Sequence, residues 1–469
     1  MAKLEAERLW VDARLDEAKA LFLEAVAEAG ERLKRGVRKA DPERAVAYKE
    51  LLTSFGRLRG APLFFPYVGS GVGHGSLVEL LDGSVKYDMI SGIGPNLLGH
   101  SHPRLIEAAF DAACSDAIFQ GHLQPTAIAE QLMRRLCDLA QMDHCFLSST
   151  GAMANENAVK IAFQKRTPAD RLFAFEGGFA GRTLLMAQLS DRPQYRMGLP
   201  TPFSVDYLPF YDPQAGQESI DETLALIDLA LQRYPGRYAA AIFELVQGER
   251  GFYVGESSFF RAVMERLKAN GVLIIVDEVQ TFARTPSLFA FQHFGLQDLV
   301  DIVTVGKVSM SCATLFKTVH KPSPGLLGQT FSSSNSALYA AMATLDELTT
   351  QGYYGQEGRI AKCQALLVQA FEQIAERHPG AIRGPWGIGA LFAFTLFDGS
   401  LAATQAFLQR LFEEGVIAFL AGTHPVRIRF LPPVGAMEEA DYLEVAKIVE
   451  KALVDAIAEK ANLSVEVSR

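Results

Sequence analysis

The sequence predicts an α/β fold with a large, mainly parallel sheet flanked by helices, a smaller C-terminal α/β domain and an N-terminal helical segment. Val272–Val276 and Asp301–Val305 are apolar, strand-length and rich in β-branched residues, which is typical of strands buried on both faces. Helical patterns alternate with such strands along the rest of the chain. We expect the segments to be 1–75 (helices and a loop), 76–335 (large domain) and 336–469 (small domain).

The composition excludes several classes of protein. The chain has 469 residues, of which 49% are hydrophobic and 21% charged, as in ordinary globular enzymes. Its net charge of −9 disfavours nucleic acid as a partner. No apolar run reaches the roughly 18 residues of a membrane span, and the N-terminus lacks a signal-peptide core. Five scattered cysteines, without CxxC spacing, indicate reduced thiols and a cytoplasmic location.

The amino-acid composition changes once within the first hundred residues. Residues 1 to about 60 are rich in Ala, Glu, Lys, Arg and Leu, which favours helix. The stretch PLFFPYVGSGVGHGS follows, and its glycine cluster lacks the lysine of a Walker A loop. In ISGIGPNLLGHSHP, His100 and His102 have no acidic or cysteine partner at metal-ligand spacing, so we expect a turn before a helix from Pro103 and no metal site.

Residues 145–165, CFLSSTGAMANENAVKIAFQK, predict a strand end, a small polar turn and a helix. The free amides and positive dipole end of such a helix form a ready anion site, although Ser and Thr also cap ordinary helices. The Gly-rich FEGGFAGRT comes next. There Phe179 is either a core residue or an aromatic that stacks on a flat ring.

The remaining elements are predicted in order. A strand at 240–245 leads into Val246–Glu249, and Gly328–Ser332 is a polar loop before a helix near Ser336. The C-terminal pattern is helix, strand, helix, strand and helix over about 336–378, 390–396, 401–415, 426–431 and 438–461.

Two neighbouring strand ends carry the chemistry. The strand 272–276 ends in Asp277 and Glu278, and the strand 301–305 delivers Lys307 to the same edge, where ligands bind in open α/β sheets. A carboxylate and a lysine there form either a buried ion pair or a pyridoxal phosphate site. The cofactor needs a lysine for its Schiff base and an acid to keep its ring nitrogen protonated.

Several ordered blocks between about residues 60 and 450 resemble class III (ω-type) aminotransferases, which are fold type I pyridoxal phosphate enzymes. LLGHSHP, SSTGAMANENAVKIA, GGFAGRT, FELVQGERG and VDEVQTFART are similar to the family's LGHxHP, SGxEANExAxKxA, GGYHGRT, EPVQGExG and DEVQTGFGRT. The lysine follows at VGK, QTF resembles a loop that reaches the partner subunit, and PVRIRFLPP resembles the terminal RxxPP element.

The resemblance implies a role for each matching cofactor residue. Lys307 would form the Schiff base and then move the α-proton, while Asp277 would pair with the pyridinium nitrogen. Gln280 would contact the phenolic oxygen and Phe179 would stack on the ring. The phosphate would be bound by the backbone amides of Gly151 and Ala152.

The resemblance also implies substrates and a partner. Thr330 would complete the phosphate site of the other subunit, which makes the enzyme a homodimer with shared sites. Arg429 would clamp the carboxylate of a 2-oxo acid acceptor such as 2-oxoglutarate, and Glu249 would pair with Arg429 when the donor lacks that carboxylate. Tyr67 is expected to contact the substrate. The donor would be a terminal amine: a diamine, ornithine or lysine, 4-aminobutyrate or a β-amino acid.

The sequence departs from the family pattern around the substrate. Ala180 replaces a common His, Met153 a Glu, and Arg250 a small residue beside Glu249. One Gly is missing between Thr281 and Phe282, and Val308-Ser-Met-Ser replaces a Gly-rich run.

Three other interpretations of the sequence are possible. VLIIVDE is similar to a Walker B strand of a P-loop ATPase, but the chain has no Walker A lysine motif. A non-catalytic member of the family would lack the lysine, whereas Lys307 is present. A racemase, aminomutase or decarboxylase would use the same cofactor chemistry, and Arg429 favours transamination over these.

Overall fold

The computed structural model describes residues 3–116, 119–121 and 123–467, with backbone alone from 461 onward. Its largest element is a seven-stranded sheet. In spatial order the strands are His144–Ser148, Cys312–Phe316, Ile302–Val305, Leu273–Glu278, Tyr238–Phe243, Arg171–Phe175 and Ser204–Leu208. Cys312–Phe316 runs antiparallel to both of its neighbours, and the other pairs are parallel. The predicted α/β class with a mainly parallel sheet is confirmed.

The central strands are buried because helices cover both faces of the sheet. Every residue of Leu273–Glu278 and Ile302–Val305 is buried. Along the chain, helices and short helical turns precede or connect the strands of this sheet: Pro103–Ala113, Ala127–Ala140, Gly151–Lys165, Met186–Leu189, Pro193–Arg196, Gln217–Arg233, Ser257–Ala269 and Ala290–His293. The short pairs Val246–Gln247 with Tyr253–Val254, and Phe119–Gln120 with Ser333–Ser334, lie outside the large sheet.

The N-terminal sixty residues form three helices instead of one continuous helical stretch. They are Glu5–Leu9, Ala13–Glu31 and Ala45–Arg59. Asp12 caps the second helix by accepting a hydrogen bond from Arg14 N. Gly36, at φ +95°, lies in the break between the second and third helices, where a continued helix would require negative φ.

The N-terminal and C-terminal parts share a sheet. Gly69–His74, Leu77–Leu80 and Val85–Asp88 form an antiparallel meander, and Val416–Ile417 pairs parallel with Val85–Asp88. The chain therefore returns at its C-terminal end to the segment that precedes the large sheet. The division into three domains stays a prediction.

The C-terminal part has a four-stranded antiparallel sheet in the order Ile382–Ile388, Leu391–Leu396, Arg427–Phe430 and Phe419–Ala421. Its helices are Asn335–Thr350, Arg359–Arg377, Leu401–Glu414 and Glu439–Val467. The single helix predicted over 336–378 is wrong: Gly352 and Gly355, both at positive φ, separate two helices. The strand Ile382–Ile388 was not predicted, because Gly384, Pro385 and Gly387 hide its pattern.

Candidate active site

Lys307 and Asp277 lie at the ends of adjacent parallel strands. The register pairs Asp277 with Thr304, three residues before the lysine. Lys307 is partly buried and has a left-handed backbone (φ +54°) at the first residue of a tight turn. Burial and nearby Arg429 lower the pKa of Lys307 to about 8, although Glu249, Glu244 and Asp277 act in the opposite direction. A much larger fraction of the amine is therefore neutral and nucleophilic near neutral pH than for an ordinary lysine.

Asp277 is fixed by hydrogen bonds to both carboxylate oxygens. Val279 N donates to Oδ1 at 2.9 Å, and Asn155 Nδ2 donates to Oδ2 at 2.6 Å. Asn155 is fixed in turn, because its Oδ1 accepts from Thr304 Oγ1 at 2.6 Å. Burial raises the pKa of Asp277 to about 6, against these hydrogen bonds and the charge of Lys307. A cationic ring nitrogen beside Asp277 would favour its ionised form.

Glu278 lies next in the strand and takes no part in this cluster. Successive strand side chains point to opposite faces, so Glu278 faces away from Asp277. It accepts from Thr281 Oγ1 at 2.5 Å and from Phe291 N at 2.8 Å, and burial raises its pKa to about 7. These bonds hold the segment that follows the strand.

The helix Gly151–Lys165 begins where the anion site was predicted. Thr150 caps it, with Oγ1 accepting from Met153 N at 3.2 Å. The amides of Gly151 and Ala152 have no carbonyl partner within the helix, as in every first turn. A Cβ atom at Gly151 would lie 2.7 Å from Val279 Cγ1, so the Asp277 segment approaches the helix start too closely for any larger residue. The predicted phosphate site at Gly151 and the segment that carries Asp277 therefore adjoin each other.

Phe179 lies beside Asp277, and Gln280 follows Asp277 three positions along the chain. Phe179, Gln247, Glu244 and Asp277 line one small cavity. Glu244 accepts from Phe179 N at 3.0 Å and from Gly248 N at 2.9 Å, and burial and Asp277 raise its pKa to about 8. The side-chain oxygen of Gln280 is buried without a hydrogen-bond partner in the described structure.

Arg429 and Glu249 form an ion pair. Arg429 is fully buried on the strand Arg427–Phe430, its Nη2 is 2.7 Å from Glu249 Oε1, and its Nη1 donates to Gly248 O at 3.0 Å. Burial raises the pKa of Glu249, but Arg429, Lys307 and Arg192 outweigh it, so the net pKa lies below its usual value. Arg429 Nε is buried and unpaired. The arrangement is that of a buried arginine whose charge is matched by one partly exposed carboxylate.

Among the described residues, neither Thr330 nor Tyr67 forms a hydrogen bond with this cluster. Thr330 is exposed and lines a surface cavity with Phe119, Gly121 and Gln329. Tyr67 is half-buried, and burial and the negative charge of Asp88 raise its pKa to about 12. The predicted roles of both residues stay predictions.

The departures from the family pattern lie close to the cluster. The carbonyl of Ala180 accepts from Asn155 Nδ2 at 2.8 Å, and Met153 is in the first turn of the helix Gly151–Lys165. Arg250 Nη1 donates to Gln247 Oε1 at 3.1 Å, and its guanidinium lies 4.6 Å from the centre of the Tyr253 ring. These departures from the family pattern therefore change the surroundings of the predicted cofactor site and leave its central residues in place.

Three further residues of the site were not predicted from the sequence: Asn155, Thr304 and Glu244. All three are buried polar residues in contact with the site. A signal was present for Asn155, which is polar among the apolar positions Ala154, Ala158, Val159 and Ile161 of its helix. Thr304 and Glu244 gave none, because Thr is common in strands and the partners of Glu244 are backbone amides.

The residues present fit pyridoxal phosphate. A nucleophilic amine, a buried acid, an unpaired amide oxygen, an aromatic side chain and a helix N-terminus surround one strand edge. Each corresponds to one part of the cofactor: aldehyde, ring nitrogen, phenolic oxygen, ring face and phosphate. The fold and this site define a fold type I pyridoxal phosphate enzyme.

Comparison with known proteins identifies the family. The family model for class III aminotransferases matches residues 68–453. The acetylornithine aminotransferase of Bacillus subtilis (strain 168) is 32% identical over 389 residues, covering 80% of this chain and 92% of that protein. The probable 4-aminobutyrate aminotransferase of the same organism is 31% identical over 395 residues, covering 77% and 87%. The chain belongs to the class III aminotransferase family.

A solved structure agrees at the level of the fold. The lysine aminotransferase of M. tuberculosis has a TM-score of 0.77 and 21% identity, covering 86% of this chain and 99% of that one. The protein is thus a pyridoxal phosphate-dependent transaminase, which takes an amine donor and a 2-oxo acid. This membership excludes the P-loop ATPase interpretation. Across the described residues, no helix is both long and apolar enough to span a bilayer.

Proposed function

We propose that the enzyme transfers an amino group from a terminal-amine donor to 2-oxoglutarate, with Lys307 as the residue that bonds to the cofactor. The ion pair between Arg429 and Glu249 carries this proposal. An arginine that can be masked or unmasked suits two substrates that use one site in turn, one with a carboxylate at that point and one without. The related enzymes named above act on acetylornithine, 4-aminobutyrate and lysine, which supports a terminal amine as the donor group.

Each residue has a defined task in this proposal. Pyridoxal phosphate, when bound, supplies an aldehyde that condenses with amines and a ring that withdraws electrons. Asp277 would keep the ring nitrogen protonated, Gly151 and Ala152 would bind the phosphate, and Gln280 and Phe179 would orient the ring. Lys307 would hold or return the proton at the carbon that exchanges its amino group.

We also propose a homodimer in the cytoplasm. Thr330 is exposed on a loop with Phe331, whose side chain is 48% exposed, and such a loop suits contact with a second subunit. All five cysteines are unpaired, which supports a reducing compartment.

The test is an absorption titration of the enzyme loaded with cofactor. Candidate amines are added one at a time, and 2-oxoglutarate follows. We expect the yellow band to bleach with a terminal amine and to return with 2-oxoglutarate. A band that no amine bleaches would favour racemase or aminomutase chemistry instead.

Arg429→Ala tests the acceptor assignment. Loss of a buried charged hydrogen-bond donor should raise the KM for 2-oxoglutarate by about 10- to 100-fold, while a donor without a carboxylate at that position still bleaches the band. Unchanged acceptor kinetics would remove this role from Arg429.

A further inference from the structure

We call Gly248–Gly251, which carries Glu249, the gate segment. Hydrogen bonds to its backbone carbonyl oxygens hold it in place. Three arginines, two of them on the strand Arg427–Phe430, each donate to one of its carbonyl oxygens: Arg429 to Gly248 O (3.0 Å), Arg192 to Glu249 O (2.9 Å) and Arg427 to Gly251 O (2.8 Å). Gly422 N adds a second donor to Glu249 O at 2.9 Å. Because the backbone is fixed at three carbonyls, Glu249 can release Arg429 most easily by rotation of its own side chain.

Rotation of Glu249 requires a second partner for its carboxylate. The side chain is only 24% exposed, so an unpaired carboxylate there would lose hydration without compensation. After Arg429, the cations that lower the pKa of Glu249 most are Lys307 and Arg192. In the proposed function Lys307 is needed at the reacting carbon, where it holds or returns the proton, which leaves Arg192.

Arg192 is suited to receive the carboxylate. It is half-buried, and its guanidinium already reaches the gate segment through Glu249 O. Its other hydrogen bond is also to a backbone carbonyl, Asp191 O at 3.3 Å. In the described part of the chain Arg192 forms no ion pair with a carboxylate, so its positive charge is available to the carboxylate of Glu249.

We propose that Arg192 binds the carboxylate of Glu249 when a 2-oxo acid takes its place on Arg429. Arg192 is then a positioning residue that lowers the cost of unmasking Arg429 and so sets how well the enzyme accepts dicarboxylic acceptors. This inference rests on the proposed function of Arg429.

The experiment compares Arg192→Gln and Arg192→Lys with the wild type, each loaded with cofactor. Gln keeps a donor for Glu249 O but removes the charge, whereas Lys keeps the charge. Calorimetry measures the dissociation constant of glutarate, an unreactive dicarboxylate, and the bleaching rate reports the donor half-reaction. We expect Arg192→Gln to weaken glutarate binding by about five-fold, the size of one partly exposed ion pair, and Arg192→Lys to stay within about two-fold. Bleaching by a donor without the carboxylate should not change in either variant.

The controls separate charge from structure. Arg196→Gln removes an arginine that donates to Ser190 O in the same stretch, and it should leave glutarate binding unchanged. In a Glu249→Ala background, Arg192→Gln should have no effect, since no carboxylate remains to be received. An equal loss with and without Glu249, or no loss at all, overturns the proposal. If Arg429→Ala also binds glutarate normally, the proposed function of Arg429 is wrong as well; if Arg429→Ala alone weakens binding, only the role of Arg192 is wrong.

Discussion

At the scale of single residues, the site is governed by charges that act on Lys307 in opposite directions. Burial and Arg429 lower its pKa to about 8, while Glu249, Glu244 and Asp277 raise it. Two of these groups, Arg429 and Glu249, are also the ion pair proposed to open and close. The reactivity of the lysine is therefore linked to the state of the substrate clamp.

The rate at which cofactor-free enzyme captures pyridoxal phosphate should follow the neutral fraction of Lys307. For an amine with pKa about 8, this fraction rises with pH through about 8 and then levels off. Stopped-flow absorption of the yellow band measures the rate. Arg429→Met should move the midpoint to higher pH and Glu249→Gln to lower pH. A capture rate that keeps rising up to the ordinary lysine pKa of about 10.4 would contradict the lowered pKa of Lys307. As a control, Lys307→Ala lacks the amine and should not form the yellow band.

The sequence predicted the reactive residues better than the residues that hold them. Lys307 and Asp277 were predicted because charged residues at the ends of apolar strands are conspicuous, whereas Arg429 was predicted only from the resemblance of PVRIRFLPP to a family element. Asn155 and Glu244 act through hydrogen bonds across 122 and 65 positions of chain, and no local pattern encodes such pairs. Thr330 and Tyr67 were named by resemblance, and contacts within one chain do not test them.

At the scale of elements, the side chain of Asn155 joins its helix to two strands of the large sheet. Asn155, on the helix Gly151–Lys165, bonds to Asp277 on one strand and to Thr304 on the next. Elements predicted from apolar periodicity, such as these strands, agree with the structure. The break at Gly352 and the strand Ile382–Ile388 were missed, because glycine and proline obscure periodicity.

Asn155→Ala should weaken the binding of pyridoxal phosphate as well as stability. The change leaves Asp277 Oδ2 and Thr304 Oγ1 without their partner, at a cost of about 1–3 kcal/mol in the free energy of unfolding. Because Asp277 then loses its orientation, the dissociation constant of the cofactor should rise about ten-fold. Fluorescence titration and denaturant unfolding measure the two effects.

Asn157→Ala is the matched control in the same helix. Asn157 is equally buried and donates to Ser148 Oγ at 3.1 Å, away from Asp277. It should reduce stability without a comparable loss of cofactor affinity. Equal losses of affinity in both variants would mean that Asn155 acts only on folding.

At the scale of the whole molecule, the surface near Thr330 exposes large apolar side chains in the single chain. Leu123 is 95% exposed there, and Phe331 stacks on Phe119 at 5.8 Å with almost half of its surface exposed. Apolar side chains beside an exposed loop are typical of a subunit contact. The proposed second subunit would cover them.

Complementation between two defective chains tests the shared site. We expect Lys307→Ala to be inactive and Thr330→Ala to bind cofactor weakly. If Thr330 serves the other subunit, a mixed dimer has one site with both residues intact. Refolding the two variants together at limiting cofactor should then restore about a quarter of wild-type activity, since half of the dimers are mixed and half of their sites are complete. If the mixture is no more active than its parts, Thr330 acts within its own chain or not at all.

The one antiparallel strand of the large sheet has a consequence for how the lysine comes into place during folding. Ile302–Val305 and Cys312–Phe316 pair directly with each other, so Lys307 lies in the short loop of a hairpin. Closing so short a loop costs little entropy, whereas the next strand, His144–Ser148, must come from a distant part of the chain. The hairpin can therefore form early, and the loop that presents the lysine is shaped before the rest of the cofactor site assembles around it.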